Sequence, residues 1–470
     1  MLGRVFKAYD IRGTYPDPLN EAMAWQIGYG TAKVLLAEAA AAGDSTPMMR
    51  TLVVGQDMRK SSPSLTKELI AGMNAAGAAV IDVGRCDTPM VYFAINHLDC
   101  AGGVQVTASH NPPQYNGFKI SRRKGKPVGE ANGLAEIRKH AAIVDRAVVG
   151  AGAGGHTEKR DLWDAYAQHV RRFLDLGGKP LKVVIDASNG MAGTMVPKIF
   201  GKKGSLVPGL EIVEINFDNS KGEFVHEPNP LVAANLAQTQ DGVRRESAHL
   251  GICFDGDADR CVVVDEAGEI VGCDHLTALL AKHFLAKKPG SAVIYDLRST
   301  RAVAEDVQAA GGKPVRGRVG HVFMKSALAE HGGSFGGELS GHFYFADNFN
   351  ADSGAIAMAT VLTFLAKAGK PMSTLLEPVR RYKQSGEINF EIEDKDAALD
   401  TLREHFAERG DQDELDGVTI DCWNSEGWWC NVRKSNTEPL LRLNVEAKTA
   451  PKLAAALDEI SPMLGTRVDH

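Results

Sequence analysis

Short apolar runs alternate with helical patterns through roughly the first 370 residues of this chain. Residues 51–55 predict a short buried strand, and residues 62–76 predict the helix that follows it. Such alternation favours α/β units with a mainly parallel sheet. Past about residue 382 the pattern changes, because residues 387–392 alternate, a charged helix follows, and strand patterns run from residue 418 to residue 447. The last part of the chain therefore predicts a smaller α+β domain.

The length of the chain predicts several domains. A chain of 470 residues is too long for one hydrophobic core, and a typical domain of roughly 100–200 residues suggests three or four of them. The glycine-rich segment Gly150–Gly155 is the clearest linker. We expect domain boundaries that divide the chain into residues 1–155, 156–270, 271–381 and 382–470.

Charge and cysteine usage limit the classes of function. The net charge is −6 and no lysine- or arginine-rich run is present, which disfavours nucleic-acid and membrane-surface binding. The seven cysteines form no CxxC pair, as is typical of reduced thiols in a cytosol. No apolar stretch is long enough to span a bilayer, and the N-terminus has no signal-peptide core. We expect a cytoplasmic enzyme or binding protein.

Ser109 is the candidate nucleophile. It follows the apolar run Gly102–Val106 at the point where a strand gives way to a loop. A hydroxyl in such a place can be approached from solvent and activated by its neighbours. An ordinary polar loop remains the alternative at this point, since Ser-His dipeptides are common.

Three aspartates at alternate positions form the candidate metal loop. Asp255, Asp257 and Asp259 can direct carboxylate oxygens at one hard cation such as Mg²⁺. An EF-hand is excluded, because Arg260 replaces the required glycine and a β-like segment follows the loop. A solvated acidic turn is the alternative, but clustered carboxylates beside an apolar strand are costly without a cation.

Glu338, Ser340 and His342 lie at alternate positions in a glycine-rich loop. Carboxylate and hydroxyl groups on one side of an extended loop suit the vicinal hydroxyls of a sugar, although a glycine turn with incidental polar groups is the alternative. Glycine-led strands precede Ser109, Asp255 and Glu338. In open α/β sheets ligands bind beyond the carboxyl ends of strands, so we expect these loops to serve one cleft.

A fourth loop, Arg433–Pro439, combines an arginine, two hydroxyls and an amide, with Asn436 at its centre. These groups and the loop N–H groups can surround a phosphate, although a plain polar turn is the alternative. Lys119, His321 and Arg12 are weak candidates alone. Lys119 and His321 gain weight as possible proton carriers beside a phosphoryl-transfer centre.

The four loops, in this order, closely resemble those of the α-D-phosphohexomutases, specifically the phosphomannomutase/phosphoglucomutase branch. The resemblance extends from residue 9 to residue 447. It implies three α/β domains of similar topology with mixed sheets plus a C-terminal α+β domain, arranged around a central cleft. It also implies that Ser109 carries a phosphoryl group in the resting enzyme.

The resemblance implies a role for each candidate residue. Mg²⁺ would be held by a phosphoserine oxygen together with three carboxylates, those of Asp255, Asp257 and Asp259. Residues implied in catalysis are Ser109, His110, Lys119, Arg12, Arg260 and His321. Residues implied in substrate binding are Tyr9, Arg298, Glu338, Ser340, His342, Arg433, Ser435, Asn436 and Thr437. Some relatives carry lysine in place of Arg298, and arginine hardly deprotonates, so proton transfer at that position is not expected.

The implied reaction interconverts hexose 1-phosphate and hexose 6-phosphate. Phosphoserine would donate to O6 or O1 of the sugar, and the bisphosphate would turn and return its other phosphate to Ser109. Glucose 1,6-bisphosphate or mannose 1,6-bisphosphate would be the intermediate and activator, and the enzyme would be a monomer or homodimer. A phosphoglucosamine mutase, a Mg²⁺-dependent sugar phosphatase and a phosphosugar-binding protein without turnover are the alternatives.

Overall fold

The computed structural model describes residues 2–7, 9–43, 46–149, 154–435 and 440–468. The chain divides into two compact units. The first contains residues 1–272 and 340–373, and the second contains residues 273–339 and 374–470.

The first sheet of the first unit is mixed. Its strands are β1 (Ile11–Thr14), β2 (Thr51–Gln56), β3 (Ala79–Arg85), β4 (Gly102–Val106), β5 (Tyr115–Arg122), β6 (Lys126–Pro127) and β7 (Thr157–Lys159). They run in the order β1-β5-β4-β2-β3-β7, with β6 beside β5. The pairs β4–β2, β2–β3 and β3–β7 are parallel, whereas β5 is antiparallel to β1, β4 and β6.

Helices connect these strands, as the alternating pattern predicts. They are α1 (Glu21–Ala41), α2 (Ser62–Ala75), α3 (Thr88–His97), α4 (Leu134–Ile143) and α5 (Arg146–Val149). The side chain of Asn20 caps α1 by accepting a hydrogen bond from the N–H of Met23 at 3.1 Å. The predicted strand at residues 51–55 and the predicted helix at residues 62–76 are confirmed as β2 and α2.

The second sheet of the first unit is also mixed. The elements of this region are α6 (Trp163–Arg171), β8 (Leu181–Asp186), α7 (Ala192–Phe200), β9 (Leu210–Ile215), α8 (Ala237–Glu246), β10 (Leu250–Phe254), β11 (Cys261–Val264) and β12 (Ile270–Val271). The strands run in the order β12-β11-β10-β8-β9, parallel from β10 to β9. Every residue of β10 is buried, and the loop with the three aspartates begins directly after it at Asp255.

The middle of the chain supplies elements to both units. In the second unit these are α9 (Cys273–Lys287), β13 (Ala292–Asp296), α10 (Arg301–Ala309), β14 (Lys313–Gly317), α11 (His321–Glu330) and β15 (Phe335–Gly337). Strand β13 pairs in parallel with both β14 and β15. The first unit receives the antiparallel pair β16 (Phe343–Phe345) and β17 (Ala351–Asp352), followed by the buried helix α12 (Gly354–Ala368).

The C-terminal part of the second unit is an antiparallel sheet with helices. After α13 (Met372–Leu376), its elements are β18 (Lys383–Glu391), α14 (Lys395–His405), β19 (Asp411–Asp413), β20 (Val418–Asp421), β21 (Trp428–Lys434), β22 (Leu441–Ala447), α15 (Ala450–Ile460) and β23 (Thr466–Val468). The strand order is β19-β20-β21-β22-β18-β23. This agrees with the α+β domain predicted from the alternating pattern. Among the described residues, no helix combines the length and hydropathy needed to span a lipid bilayer.

Candidate active site

Ser109 lies three residues after β4, in a left-handed backbone conformation with φ of 51°. Its N–H donates to the Thr107 hydroxyl at 2.9 Å, and only 1% of its surface is exposed. A residue other than glycine in this conformation costs about 1–3 kcal/mol, so the surrounding structure must hold it there.

A buried arginine holds the serine loop. The guanidinium of Arg59 donates to four backbone carbonyl oxygens, at 2.9, 2.7, 2.7 and 3.0 Å, those of Ser109, Asn111, Pro112 and Tyr115. Its Nε donates to Asp57 Oδ2 at 3.0 Å, and 1% of Arg59 is exposed. Because the fork of donors is rigid, these bonds fix the path of the loop.

Arg59 was not predicted as a site residue, although its position in the chain indicates that it lies near Ser109. It comes three residues after β2, which pairs in parallel with β4. The loops that follow two parallel neighbouring strands lie at the same edge of the sheet. A charged residue after β2 was therefore a candidate neighbour of Ser109.

The three aspartates of the predicted metal loop lie beside Ser109. The Ser109 hydroxyl donates to Asp255 Oδ2 at 2.9 Å. Close approach of the two loops requires glycine at position 256, since a Cβ there would lie 2.3 Å from the Ser109 carbonyl oxygen. The structure thus brings together the predicted nucleophile and the predicted metal loop.

The chemistry of this loop fits a hard divalent cation. Asp255, Asp257 and Asp259 are all buried, and one oxygen from each lies within 4.8 Å of the others. Asp257 Oδ1 is buried and has no hydrogen-bond partner within the described part of the chain. Burial and the neighbouring carboxylates Asp259 and Asp257 raise the pKa of Asp255 well above its ordinary value. Oxygen ligands and excess negative charge are the properties that Mg²⁺ requires.

Lys119 is the internal counter-ion of the aspartate cluster. It lies on β5, and its Nζ contacts Asp257 Oδ2 at 2.8 Å and Asp259 Oδ2 at 2.6 Å. Thr88, at the start of α3, also holds Asp257: its N–H donates to the Asp257 carbonyl oxygen at 3.1 Å, and its hydroxyl donates to the carboxylate. Thr88 was not predicted as a site residue.

Two arginines and a histidine complete the surroundings of Ser109. Arg12 Nη1 donates to the side-chain oxygen of Asn111, and Arg260 Nε lies 3.7 Å from Asp255 Oδ2. His110 Nδ1 lies 3.3 Å from the Ser109 hydroxyl oxygen. Burial, followed by the positive charges of the arginines and Lys119, lowers the pKa of His110 well below its ordinary value.

His342 contacts the predicted metal loop, whereas the family resemblance implies a role for it in substrate binding. Its Nδ1 is 2.8 Å from the Ser340 hydroxyl, and its Nε2 is 3.3 Å from Asp259 Oδ1 and 3.8 Å from Asp352 Oδ2. The imidazole thus connects Ser340 to the carboxylate of Asp259. This contact could not be read from the local sequence, because the two loops are 83 positions apart (342 − 259).

The second unit contains its own cluster of predicted residues. Glu338 follows β15 and is 1% exposed. It accepts a hydrogen bond at 2.8 Å from the N–H of Gly320, the residue that precedes His321 at the start of α11. Arg298 follows β13, and Asp296 holds its guanidinium through contacts of 3.1 and 2.8 Å. The strands β13 and β15 thus present Arg298 and Glu338 from neighbouring positions in the sheet.

Three arginines of the second unit surround one carboxylate. Glu387 Oε2 accepts from Arg433 Nη2 at 2.8 Å and from Arg298 Nη1 at 3.2 Å, and Arg442 Nη1 lies 3.2 Å from Oε1. The sequence had predicted Arg298 and Arg433 as site residues. It had not pointed to Glu387 or Arg442, although Arg433 and Arg442 are direct partners in the β21–β22 register.

The remaining predicted residues lie at the edges of these clusters. Tyr9 is half-buried and lies two residues before β1. Ser435 directly follows β21, and its N–H donates to the Leu440 carbonyl oxygen at 2.9 Å. Asn436 and Thr437 lie outside the described residues.

Comparison with protein-family models gives four matches along the chain. Residues 3–145, 164–268 and 273–382 match the alpha/beta/alpha domains I, II and III of phosphoglucomutase/phosphomannomutase, and residues 387–462 match its C-terminal domain. With the sheets of the fold, these matches confirm the expected three α/β domains and C-terminal α+β domain.

Individual proteins match over nearly the whole chain. A protein of Xanthomonas campestris pv. campestris described as "Phosphohexose mutases" is 40% identical over 466 residues, 98% of each chain. A phosphomannomutase of Salmonella montevideo is 36% identical over 466 residues, 98% of this chain and 99% of that one.

Solved structures show the same family. A phosphoglucomutase/phosphomannomutase family protein of Burkholderia thailandensis superimposes with a TM-score of 0.86 at 32% identity, covering 98% of this chain and 96% of the other. The chain described here belongs to the phosphoglucomutase/phosphomannomutase family.

Proposed function

We propose that this protein is a phosphohexomutase that interconverts hexose 1-phosphate and hexose 6-phosphate through a phosphoserine at Ser109 and a hexose 1,6-bisphosphate. One observation carries the proposal: the strained, buried Ser109 donates to Asp255 at 2.9 Å within a loop of three buried carboxylates. Relatives at 34–40% identity over nearly the full length bear phosphomannomutase or phosphohexose mutase names.

In the proposed reaction Ser109 is a carrier of phosphate. The bond between phosphorus and the Ser109 oxygen breaks as a bond forms between phosphorus and O6 or O1 of the sugar. The sugar hydroxyl loses its proton to a base, and the serine oxygen takes up a proton in turn. The second half-reaction reverses these changes with the other phosphate. Phosphoryl transfer needs in-line positioning and charge neutralisation more than elaborate covalent chemistry.

Asp255, Asp257 and Asp259 would hold Mg²⁺ together with an oxygen of phosphoserine. When bound, the cation supplies positive charge that stabilises the transferring phosphoryl group. Arg12 and Arg260 lie close enough to the serine loop to contribute further positive charge. Lys119 and His321 are the candidates for proton transfer, while His110 shapes the loop or contacts the phosphate.

The other predicted residues would bind the sugar ring and the non-reacting phosphate of the substrate. Glu338 and Ser340 would bind sugar hydroxyls, with His342 supporting Ser340 through its 2.8 Å contact. The non-reacting phosphate would be bound by Arg298, Arg433, Ser435, Asn436 and Thr437, and Tyr9 would line the substrate site. Arginine suits this role because its planar fork matches phosphate oxygens.

Turnover of three sugar phosphates tests the proposal. Purified protein is incubated with Mg²⁺ and a trace of glucose 1,6-bisphosphate, and mannose 1-phosphate, glucose 1-phosphate and glucosamine 1-phosphate are followed separately. We expect conversion of mannose and glucose 1-phosphates to their 6-phosphates, without release of inorganic phosphate. Conversion of neither would disprove the mutase function. Preference for the amino sugar would favour a phosphoglucosamine mutase, and stoichiometric phosphate release would favour a phosphatase.

A further inference from the structure

The carboxylate of Glu387 is shared by three arginines, one of which, Arg298, also contacts Asp296. Arg298, Arg433 and Arg442 all approach it at 2.8–3.2 Å. Their side chains are 9%, 3% and 22% exposed, whereas the Glu387 side chain is 28% exposed. Arg298 and Arg433 are thus almost fully buried, whereas Arg442 and Glu387 are both partly exposed.

The backbone explains why these groups meet. Arg433 and Arg442 are paired across β21 and β22. Glu387 lies on β18, on the other side of β22, at a register shift between Gln384 and Glu387. Such an irregularity changes the direction in which the following side chain points. Arg298 reaches the same carboxylate from the end of β13.

The negative charges of this cluster are unevenly distributed among the three arginines. Glu387 is shared by all three guanidiniums, whereas Asp296 and the charge of Glu338 act on Arg298. Arg433 Nε is buried and has no hydrogen-bond partner in the described parts of the chain. Burial, followed by the neighbouring charge of Arg298, lowers the pKa of Arg433. The cluster is consequently suited to bind a further anion.

We propose that Glu387 is an internal anion that competes with the non-reacting phosphate of the substrate for Arg433, Arg298 and Arg442, and so limits how tightly that phosphate binds. The inference rests on the proposed function, which assigns Arg433 and Arg298 to phosphate binding. As phosphate binds, its oxygens replace the Glu387 oxygens as acceptors of guanidinium N–H groups. When phosphate leaves, Glu387 accepts those bonds again, so the arginines are never left unpaired.

In a mutase, this competition would speed release of the bound phosphate. The bisphosphate must release its non-reacting phosphate and rebind by the opposite end before the second transfer. A site of three unopposed arginines would bind the dianion too tightly for fast release, since charge-assisted bonds to phosphate are strong. A competing carboxylate weakens binding and supplies a replacement partner during release.

Calorimetric titration with inorganic phosphate tests the inference without requiring turnover. We compare the wild-type protein with Glu387→Gln, which keeps the shape and one acceptor but removes the charge. We expect Glu387→Gln to bind phosphate about tenfold more tightly. An Arg433→Gln background identifies the site, because there the gain from Glu387→Gln should shrink to about twofold or less.

Glu426→Gln is the matched control. Glu426 pairs with Arg409 at 2.9 Å in the same part of the second unit, and its side chain is 31% exposed, close to the 28% of Glu387. Its phosphate affinity should equal that of the wild-type protein. If Glu387→Gln does not fold, Glu387→Asp withdraws the carboxylate by one methylene and should give a smaller gain of the same sign.

Steady-state kinetics separates competition from a purely structural role. Competition predicts that Glu387→Gln lowers KM and also lowers kcat, because the substrate and bisphosphate are held longer. A residue that merely orders the arginines would raise KM when changed. Equal or weaker phosphate binding by Glu387→Gln, or no phosphate binding by either protein, would overturn the inference. Absence of mutase activity in the wild-type protein, together with tighter phosphate binding by Glu387→Gln, would instead count against the proposed function.

Discussion

Each of the two units contains a cluster of like-charged side chains around one side chain of opposite charge, and the signs are reversed between the units. In the first unit three buried carboxylates surround Lys119, whose amine contacts two of them. In the second unit three guanidiniums surround Glu387. Each cluster has an excess of one charge and an internal counter-ion of the other. If the proposed function holds, each cluster would exchange its internal partner for an external ligand, a cation in the first unit and a phosphate in the second.

The clusters differ in how they are supported. The aspartate loop packs against a serine loop that is fixed by Arg59, and Thr88 holds Asp257 by two hydrogen bonds. This support suits a centre at which atoms must be positioned for transfer. The arginine cluster rests on a strand irregularity and faces solvent through Glu387, which suits a site that must bind and release.

Ser109→Ala should give the largest loss of mutase activity and tests whether the first cluster carries out the phosphoryl transfer. Removing the hydroxyl removes the proposed carrier of phosphate, so mutase activity should fall by several orders of magnitude. Activity with glucose 1-phosphate measures this, and phosphopeptide mass spectrometry should show no phosphate at position 109. Ser220→Ala, in an exposed loop, is the control and should keep normal activity. Full activity in Ser109→Ala would remove the proposed nucleophile.

Asp257→Asn should give the next largest effect, by removing one charge of the aspartate cluster. We expect mutase activity to fall about 100- to 1,000-fold, with a weaker affinity for Mg²⁺ in titration calorimetry. Phosphate binding at the arginine cluster of the second unit should not change. If Mg²⁺ affinity were unaffected, the carboxylates would not be the cation ligands.

Arg59→Lys tests whether rigid support distinguishes the first cluster. Lysine keeps the positive charge but cannot donate to four carbonyl oxygens at once. We expect activity to fall about 10- to 100-fold and the free energy of unfolding to fall by about 1–3 kcal/mol. Arg146→Lys is the control, since Arg146 pairs with Glu68 at the surface with 58% of its side chain exposed. Its unfolding free energy should change by less than about 0.5 kcal/mol. Equal effects of the two substitutions would contradict a special role for Arg59.

The gain in Mg²⁺ affinity from Lys119→Gln should be the smallest of these effects, and it parallels Glu387→Gln with the charges reversed. Without the competing amine at Asp257 and Asp259, Mg²⁺ should bind about tenfold more tightly, even though catalysis is slower. Titration calorimetry with Mg²⁺ measures the change. Lys182→Gln, which removes a partly exposed pair with Glu246, is the control. Unchanged or weaker Mg²⁺ binding by Lys119→Gln would break the analogy between the two clusters.

The sequence predicts those parts of the site whose side chains come directly after an apolar strand. Ser109 and the three aspartates follow apolar strands, and that placement alone predicts that they meet at a sheet edge. Arg59 was missed because its main partner loop offers only carbonyl oxygens, which no side-chain pattern reveals, although its place after β2 was an available signal. Glu387 was missed because its partners Arg298 and Arg433 are 89 and 46 positions away.

The fold shows the same division. Buried strands such as β2 and β10 are readable because apolar residues run consecutively in them and every residue except Gln56 is buried. Strand β7, Thr157–Lys159, is exposed throughout and has no apolar pattern. It forms because its backbone pairs with β3 at the sheet edge, and a backbone pairing leaves no trace in side-chain periodicity.

The fate of the phosphate on Ser109 tests the central claim most directly. The protein is phosphorylated with radiolabelled glucose 1,6-bisphosphate in the presence of Mg²⁺, freed of small molecules, and mixed with unlabelled glucose 6-phosphate or with buffer. We predict that label on Ser109 moves to glucose 1,6-bisphosphate when the sugar is added and stays on the protein in buffer. Release of the label as inorganic phosphate in both mixtures, or its absence from Ser109, would contradict the account.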